Sequence, residues 1–150
     1  MVGIEIDDPA NRKTKEMKTR HLDHIDLRVK NFKEAMEFYG KLLPALGFTF
    51  DTSDEEWGTF YAVGDDKTSE FFGFTVDPNH RPNGTRIAFW AETREEVDGM
   101  AKIAREAGAK NLDGPELVPG YRPGYYALFF DDPEGNQLEV CCRDEPIVKA

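Results

Sequence analysis

The chain has 150 residues, enough for one domain with a full hydrophobic core, and its hydrophobic fraction of 39% excludes a disordered polar chain. Its net charge of -10 argues against nucleic acid or an anionic membrane as a partner, because phosphate binding needs clustered Lys and Arg. No apolar run is long enough to span a membrane, and no signal-peptide pattern opens the chain. Cys141 and Cys142 are adjacent, which disfavours an ordinary disulfide between them. We therefore expect reduced thiols in a cytoplasmic protein.

The first half of the chain predicts a strand, a capped helix and three further strands. A strand at about Leu22–Lys30 leads into a helix for which Asn31 is the cap, with Glu34 three residues on as a capping box requires. Apolar residues recur at helical spacing until Pro44 distorts the last turn and Gly47 ends the helix. Strands are expected near Phe48–Asp51, Gly58–Val63 and Ser69–Val76, with Gly-Asp-Asp at 64–66 as a turn.

The linker 77–84 contains two Pro, two Asn and one Gly, and it marks the boundary between the halves. The second half opens with a strand at Thr85–Ala91. Thr93 and Glu96 form a capping box, and Gly108 ends the helix that follows. A loop is expected over 114–124, followed by a hairpin with strands at Tyr125–Phe130 and Gln137–Arg143.

The order of elements in residues 24–47 recurs in residues 86–108 at almost the same spacing, and a hairpin-like segment follows each copy. Two similar βαβββ halves can form a cavity between their sheets, so we predict an α+β fold. The expected division is an N-terminal extension at 1–20, a single domain at 21–145 and a tail at 146–150. Within the domain, half one is 21–76, the linker is 77–84 and half two is 85–145.

Three strands each present polar groups on the face opposite their apolar residues, because side chains alternate across a strand. That face is either a solvated sheet surface or the lining of a cavity. Its residues are His24, Asp26 and Arg28 in the first strand, Arg86, Ala88 and Trp90 in the first strand of half two, and Gln137, Glu139, Cys141 and Arg143 in the last.

Four segments resemble the vicinal oxygen chelate superfamily, which includes glyoxalase I, bleomycin-resistance proteins, extradiol dioxygenases and fosfomycin-resistance enzymes. The resemblance covers about residues 22–143, and it implies paired βαβββ modules that form a half-open barrel around a cavity. The segments are LDHIDLRV, FYGKLL, TRIAFWAET and YALFFDDPEGNQLEV, of which the last carries the family's F-x-DP-x-G-x-x-x-E ending.

The resemblance also implies positions for the ligands of a divalent metal (Zn, Ni, Mn or Fe). His24 matches the first ligand and Glu139 the last, while Arg86 stands where these enzymes usually have His. The remaining position falls near Glu70 or Phe72. A full set of two His and one carboxylate is therefore absent, and the protein binds such a metal weakly or not at all.

Glu139 lies mid-strand among apolar residues, so its carboxylate needs either a metal shared with His24 or the guanidinium of Arg86. We favour an Arg86–Glu139 pair, which could also anchor an anionic ligand. Phe129 occupies the position of a catalytic Tyr in related enzymes, and Tyr125 shares its face. The expected substrate-binding residues are Arg86, Trp90, Phe72, Tyr125, Phe129 and Tyr121, with 120–124 as a lid.

Three functions are consistent with these residues. The first is a glyoxalase- or dioxygenase-like enzyme of lyase or isomerase type, with a degraded metal site of His24, Glu139 and Glu70. The second is a metal-free protein of the bleomycin-resistance type that sequesters a small molecule. The third is a metal-free enzyme with Glu139 as base and Arg86 as stabiliser of negative charge. Many relatives are dimers, so we expect a homodimer.

Overall fold

Two four-stranded sheets and two helices make up the part of the chain that this computed structural model describes, residues 22–62 and 70–143. The first half contains β1 (His24–Val29), α1 (Phe32–Ala45), β2 (Phe50–Asp51), β3 (Trp57–Tyr61) and β4 (Phe71–Val76). The second contains β5 (Arg86–Trp90), α2 (Arg94–Ala107), β6 (Lys110–Leu117), β7 (Tyr125–Asp131) and β8 (Gln137–Arg143). The expected turn at 64–66, the extension at 1–20 and the tail at 146–150 lie outside the described residues.

The two sheets have the same strand order, which confirms the α+β fold predicted from the repeat. The first sheet runs β1-β4-β3-β2 and the second runs β5-β8-β7-β6. In each sheet the first strand of the half pairs in parallel with the last, and the other pairs are antiparallel.

Both helices begin at the predicted caps. The side chain of Asn31 accepts a hydrogen bond of 3.0 Å from the backbone N–H of Glu34, and Thr93 accepts one of 3.1 Å from that of Glu96. In a capping box the Glu96 carboxylate would accept a hydrogen bond from the backbone N–H of Thr93. Here it accepts one from the N–H of Glu92, the residue before the cap. Gly108 ends α2 with a φ of 104°, in the left-handed region that glycine adopts without steric cost.

Strand β6 corrects the prediction of a loop over 114–124. Gly and Pro disfavour strands, and this segment contains Gly114 and Pro115. However, β6 is the edge strand of its sheet, where a residue without an N–H group can be accommodated, and its pairing with β7 shifts register on both sides of Asp113. The repeat carried the signal that was missed, because a strand also follows the helix in the first half.

One continuous core fills the space between the sheets and the helices. It contains Phe38 and Tyr39 of α1 together with apolar side chains from both sheets and α2. Because strand residues alternate, each sheet turns its other face away from the helices. We call these the first open face (β1–β4) and the second open face (β5–β8). Neither described helix is long and apolar enough to cross a membrane.

Candidate active site on the second open face

The second open face collects most of the residues predicted to bind a ligand. Pairing in register places Ala88, Glu139 and Phe129 side by side across β5, β8 and β7, and Trp90 beside Cys141. Arg143 pairs with Tyr125 in the same way. The face therefore carries Arg86, Trp90, Tyr125, Phe129, Glu139, Cys141 and Arg143, all on the side that the alternation of β5 and β8 predicts.

Glu139 is the buried carboxylate of this face, with an exposed fraction of 4%. The hydroxyl of Tyr125 donates a hydrogen bond to its Oε2 atom. Tyr125 reaches Glu139 along the sheet because Ala127 and Cys141 lie between them and are small. The Cys141 thiol is also within hydrogen-bonding reach of the Glu139 carboxylate.

Tyr125 and Cys141 are both neutral at physiological pH. Burial raises the pKa of Tyr125 above its usual value, and hydrogen bonds with Cys141 and Glu139 raise it further. Burial also raises the pKa of the Cys141 thiol, and the nearby charge of Glu139 adds to this effect. Cys141 and Cys142 are both free thiols. Tyr125 is therefore a hydrogen-bond donor to the carboxylate, and Cys141 is a neutral thiol that hydrogen-bonds with both groups.

Two arginines lie over aromatic rings of the same face. The guanidinium of Arg86 is 4.7 Å from the centre of the Phe129 ring. That of Arg143 is 5.6 Å from the Trp90 ring and 5.8 Å from the Tyr125 ring. Such stacking holds a guanidinium in place through its flat face, while its N–H groups lie in the plane of the group and can donate hydrogen bonds to a ligand.

The expected Arg86–Glu139 ion pair is not formed in the described part of the chain. Tyr125 rather than Arg86 is the hydrogen-bond partner of Glu139, because the long arginine side chain extends over the Phe129 ring instead. Arg143 was placed on this face by the alternation of β8, but its part in the site was not predicted. The signal was present, since Arg143 is four residues after Glu139 on the same strand.

The segment between β6 and β7 folds back over the second open face. The N–H of Val118 donates to the carbonyl of Tyr125 at 2.8 Å, and the N–H of Tyr121 donates to the carbonyl of Val118 at 3.0 Å. The Tyr121 ring then lies 5.4 Å from that of Tyr125 and 6.1 Å from that of Phe129. Tyr121 thus lies beside two residues of this face with 59% of it exposed, and its role in substrate binding stays a prediction. That 120–124 is a lid stays a prediction.

His24 lies on the first open face, where 42% of its side chain is exposed. Its Nδ1 atom is 2.7 Å from an Asp23 carboxylate oxygen, and its ring stacks on Phe71 at 4.3 Å. A cavity of about 100 Å³ is lined by His24 and Glu70 but not by Glu139.

The described residues do not fit the metal site that the family implies. No group of three His, Cys, Asp or Glu side chains comes together within residues 22–62 and 70–143. Arg86 brings a permanent positive charge to the position where the family usually has a third ligand. The groups of the second open face that can bind a ligand or move a proton are therefore its own side chains.

Phe72 is buried in the core and does not lie on the second open face, although it lines the cavity of about 100 Å³ beside His24, so its assignment to substrate binding stays a prediction. Its exposed fraction is 1%, and its ring lies 5.3 Å from that of Tyr39 and 5.7 Å from that of Phe89. Phe72 pairs in register with Ile25, which faces the helices. Its neighbour Phe71 pairs with His24 and faces outward instead, because a shift of one residue changes the face of a strand.

The two sheets of equal strand order define an α+β protein built from paired modules. The chain belongs to the Glyoxalase/Bleomycin resistance protein/Dioxygenase superfamily, whose family model matches residues 21–140. This confirms the resemblance to the vicinal oxygen chelate proteins. None of the curated proteins matches the chain.

Solved structures from several bacteria share the fold. A glyoxalase/bleomycin resistance protein from Albidiferax ferrireducens is 22% identical, with a TM-score of 0.66, and the match covers 81% of this chain and 98% of that one. A glyoxalase/bleomycin resistance protein/dioxygenase from Nocardioides is 15% identical, with a TM-score of 0.61 and coverage of 94% and 97%. The fosfomycin resistance protein FosX from Listeria monocytogenes is 17% identical, with a TM-score of 0.61 and coverage of 81% and 92%. At these identities the likeness shows the fold alone.

Proposed function

We propose that this protein acts on a small organic anion bound on the second open face, with Glu139 as the base of a lyase- or isomerase-type reaction. The observation that carries the proposal is the buried carboxylate of Glu139, held at one oxygen by Tyr125 on a face that also carries Arg86 and Arg143. A buried base with positive groups nearby suits removal of a proton from a carbon next to a carbonyl.

Each group has a distinct part in this reaction. The guanidiniums of Arg86 and Arg143 bind the anionic group of the ligand and stabilise the negative charge that develops on its carbonyl oxygen. The carboxylate of Glu139 accepts the proton. Tyr125 keeps its own proton, because its pKa is raised, and orients the carboxylate through its hydrogen bond. Trp90 contributes a flat apolar surface for the rest of the ligand.

The experiment uses phenylpyruvate as a probe, because it combines a carboxylate, a carbonyl with acidic neighbouring protons and a flat ring. Exchange of those protons with deuterated solvent is followed by NMR. We expect wild-type protein to accelerate exchange and Glu139→Gln to lose at least about a hundredfold of that acceleration. The matched control is Glu106→Gln on the exposed side of α2, which should exchange at the wild-type rate. Equal rates in the two variants would exclude Glu139 as the base.

A binding protein of the bleomycin-resistance type is the second candidate, favoured by the aromatic rings stacked with Arg86 and Arg143. It predicts saturable phenylpyruvate binding, measured by calorimetry, without any exchange. Binding should then fall at least about tenfold in Arg86→Ala, while Glu139→Gln has a smaller effect.

A measurement of metal content tests the third candidate, a metal-dependent enzyme. Protein purified without chelator or metal-binding tag is assayed for Zn, Ni, Mn and Fe, together with His24→Ala and Glu139→Ala. Stoichiometric metal that both substitutions abolish would replace this proposal with the metal enzyme and lead to hemithioacetals and catechols as substrates.

We also propose that two copies form a homodimer through the open faces. Large side chains are exposed on these faces, with exposed fractions of 63% for Trp90, 39% for Trp57 and 57% for Phe50. A second copy would cover them and close the site from outside. Light scattering coupled to size exclusion tests this, with Trp57→Lys expected to raise the monomer fraction.

A further inference from the structure

The two arginines of the second open face have no anionic partner among the residues that the structure describes. Neither Arg86 nor Arg143 forms a salt bridge there, and the carboxylate of Glu139 accepts its hydrogen bond from Tyr125 instead. The Nε–H group of Arg143 is buried and has no hydrogen-bond partner within the same part of the chain. A buried donor without an acceptor costs free energy, so this guanidinium is suited to an acceptor that a ligand supplies.

The rings beside the two guanidiniums keep both of them on the open face. Arg86 extends from β5 until its guanidinium is 4.7 Å from the Phe129 ring centre, and Phe129 pairs in register with Glu139. The guanidinium of Arg143 is 5.8 Å from the Tyr125 ring centre. Tyr125 and Phe129 belong to the cluster of the open face and not to the main core. Both positive charges are therefore directed over the face that carries the carboxylate.

The two guanidiniums lie beside rings at different positions along β8. Phe129, beside Arg86, pairs with Glu139 itself. Trp90, beside Arg143, pairs with the residue two positions after Glu139, and the other ring beside Arg143 belongs to the residue that pairs four positions after it. At about 3.3 Å per residue, these positions are about 7–13 Å apart along the sheet. A single carboxylate is too small to bind both guanidiniums over that distance.

From this geometry we infer that the ligand of the second open face is a dianion of the 2-oxo dicarboxylate class. The inference rests on the proposed function and names its substrate class. Arg86, which lies over the register partner of Glu139, binds the carboxylate next to the ketone. Arg143 binds the second carboxylate, with its buried Nε–H group as one of the donors. Because each end of the ligand is held by its own guanidinium, the carbon between them that loses a proton is placed over Glu139.

The test is calorimetric titration of the full chain with 2-oxoglutarate and 2-oxopentanoate, which differ only in that a methyl group replaces the second carboxylate. We expect the wild type to bind 2-oxoglutarate at least about tenfold more tightly. Arg143→Gln should bind both acids with the affinity that the wild type has for 2-oxopentanoate, and this retained binding also shows that the variant is folded. Arg86→Gln should weaken the binding of both acids at least about tenfold, because it removes the group that binds their shared carboxylate.

The control is Arg105→Gln, which removes a positive charge from the exposed side of α2 and should bind both acids as the wild type does. Equal affinity of the wild type for the two acids, or no binding of 2-oxoglutarate, would overturn the inference. Equal weakening of both acids in Arg143→Gln would overturn it as well, because the arginines would then share one anionic group. The proposed function fails separately, since it requires Glu139→Gln to slow phenylpyruvate exchange, whereas a preference for 2-oxoglutarate requires no proton removal.

Discussion

The two open faces are built on the same strand order but differ in how far their charged groups are buried. On the first face Arg28 lies over Trp57, and on the second Arg143 lies over Trp90. Yet the His24 side chain on the first face is 42% exposed, whereas Glu139 on the second is 4% exposed.

Both the strands and one connection contribute to this difference, because Tyr125 and Phe129 of β7 lie beside Glu139. In the second half β6 has eight residues, and the segment after it returns over the sheet to place Tyr121 against Tyr125 and Phe129. The equivalent β2 in the first half has two residues. In the second module, aromatic side chains of β7 surround the carboxylate, and the connection adds a further ring above them.

The largest expected effect concerns the junction that joins the two halves. Asp132 accepts hydrogen bonds from the Tyr39 hydroxyl of α1 at 2.7 Å, from the Asn136 amide at 2.8 Å and from the backbone N–H groups of Glu134 and Asn136, both at 2.9 Å. Asp132→Ala leaves these donors unpaired in the interior. We expect the free energy of unfolding to fall by about 3–5 kcal/mol, measured by urea denaturation.

The neighbouring Asp131 provides the control for this substitution. Its carboxylate accepts one hydrogen bond of 2.8 Å from the Asn111 side chain at an exposed position. Asp131→Ala should therefore lower the free energy of unfolding by about 1 kcal/mol or less. If both substitutions cost the same, the buried network does not join the halves.

The next effect tests the burial of Glu139 directly. Tyr125→Phe removes the hydrogen bond to a carboxylate that is 4% exposed, so the free energy of unfolding should fall by about 1–3 kcal/mol. The matched control is Tyr126→Phe, because its hydroxyl donates to Asp98 at an exposed position and should matter by less than about 1 kcal/mol. A reversed order in urea denaturation would show that Glu139 is not stabilised by Tyr125.

An intermediate effect is expected in alkaline solution. The pKa values of Tyr125 and Tyr39 are raised above 10.0, chiefly by burial. Above about pH 10 the unfolded chain loses these protons while the folded chain keeps them, so the free energy of unfolding falls as pH rises. Tyr125→Phe should make this fall shallower in urea titrations between about pH 9 and pH 11. An unchanged slope would place the ionisation elsewhere.

The smallest effect is expected on the first open face. His24 is exposed and its interactions are with Asp23 and the ring of Phe71. His24→Ala should lower the free energy of unfolding by less than about 1 kcal/mol in thermal denaturation. A fall in the free energy of unfolding equal to that of Tyr125→Phe would show that the two faces do not differ in the burial of their polar groups.

Much of the fold was predictable because its signals are local. The helix caps at Asn31 and Thr93 depend on side chains three residues from their backbone partners, and both are confirmed. Strand β6 was missed because Gly114 and Pro115 argue against a strand, and only the edge position in the sheet permits them. That Phe72 shares the core face with Ile25, while Phe71 faces outward beside His24, became clear only from the pairing of β1 with β4.

By itself the sequence determined the two-module order and the open faces, since alternation with a period of two and the helical period act over a few residues. Only the tertiary structure decided the partners on those faces. The Arg86 side chain is long enough to reach either Glu139 or the Phe129 ring, and it lies over the ring. Tyr125 reaches Glu139 along the sheet past Ala127. Such choices depend on which groups pack above the strands, and that is set by segments distant in the chain.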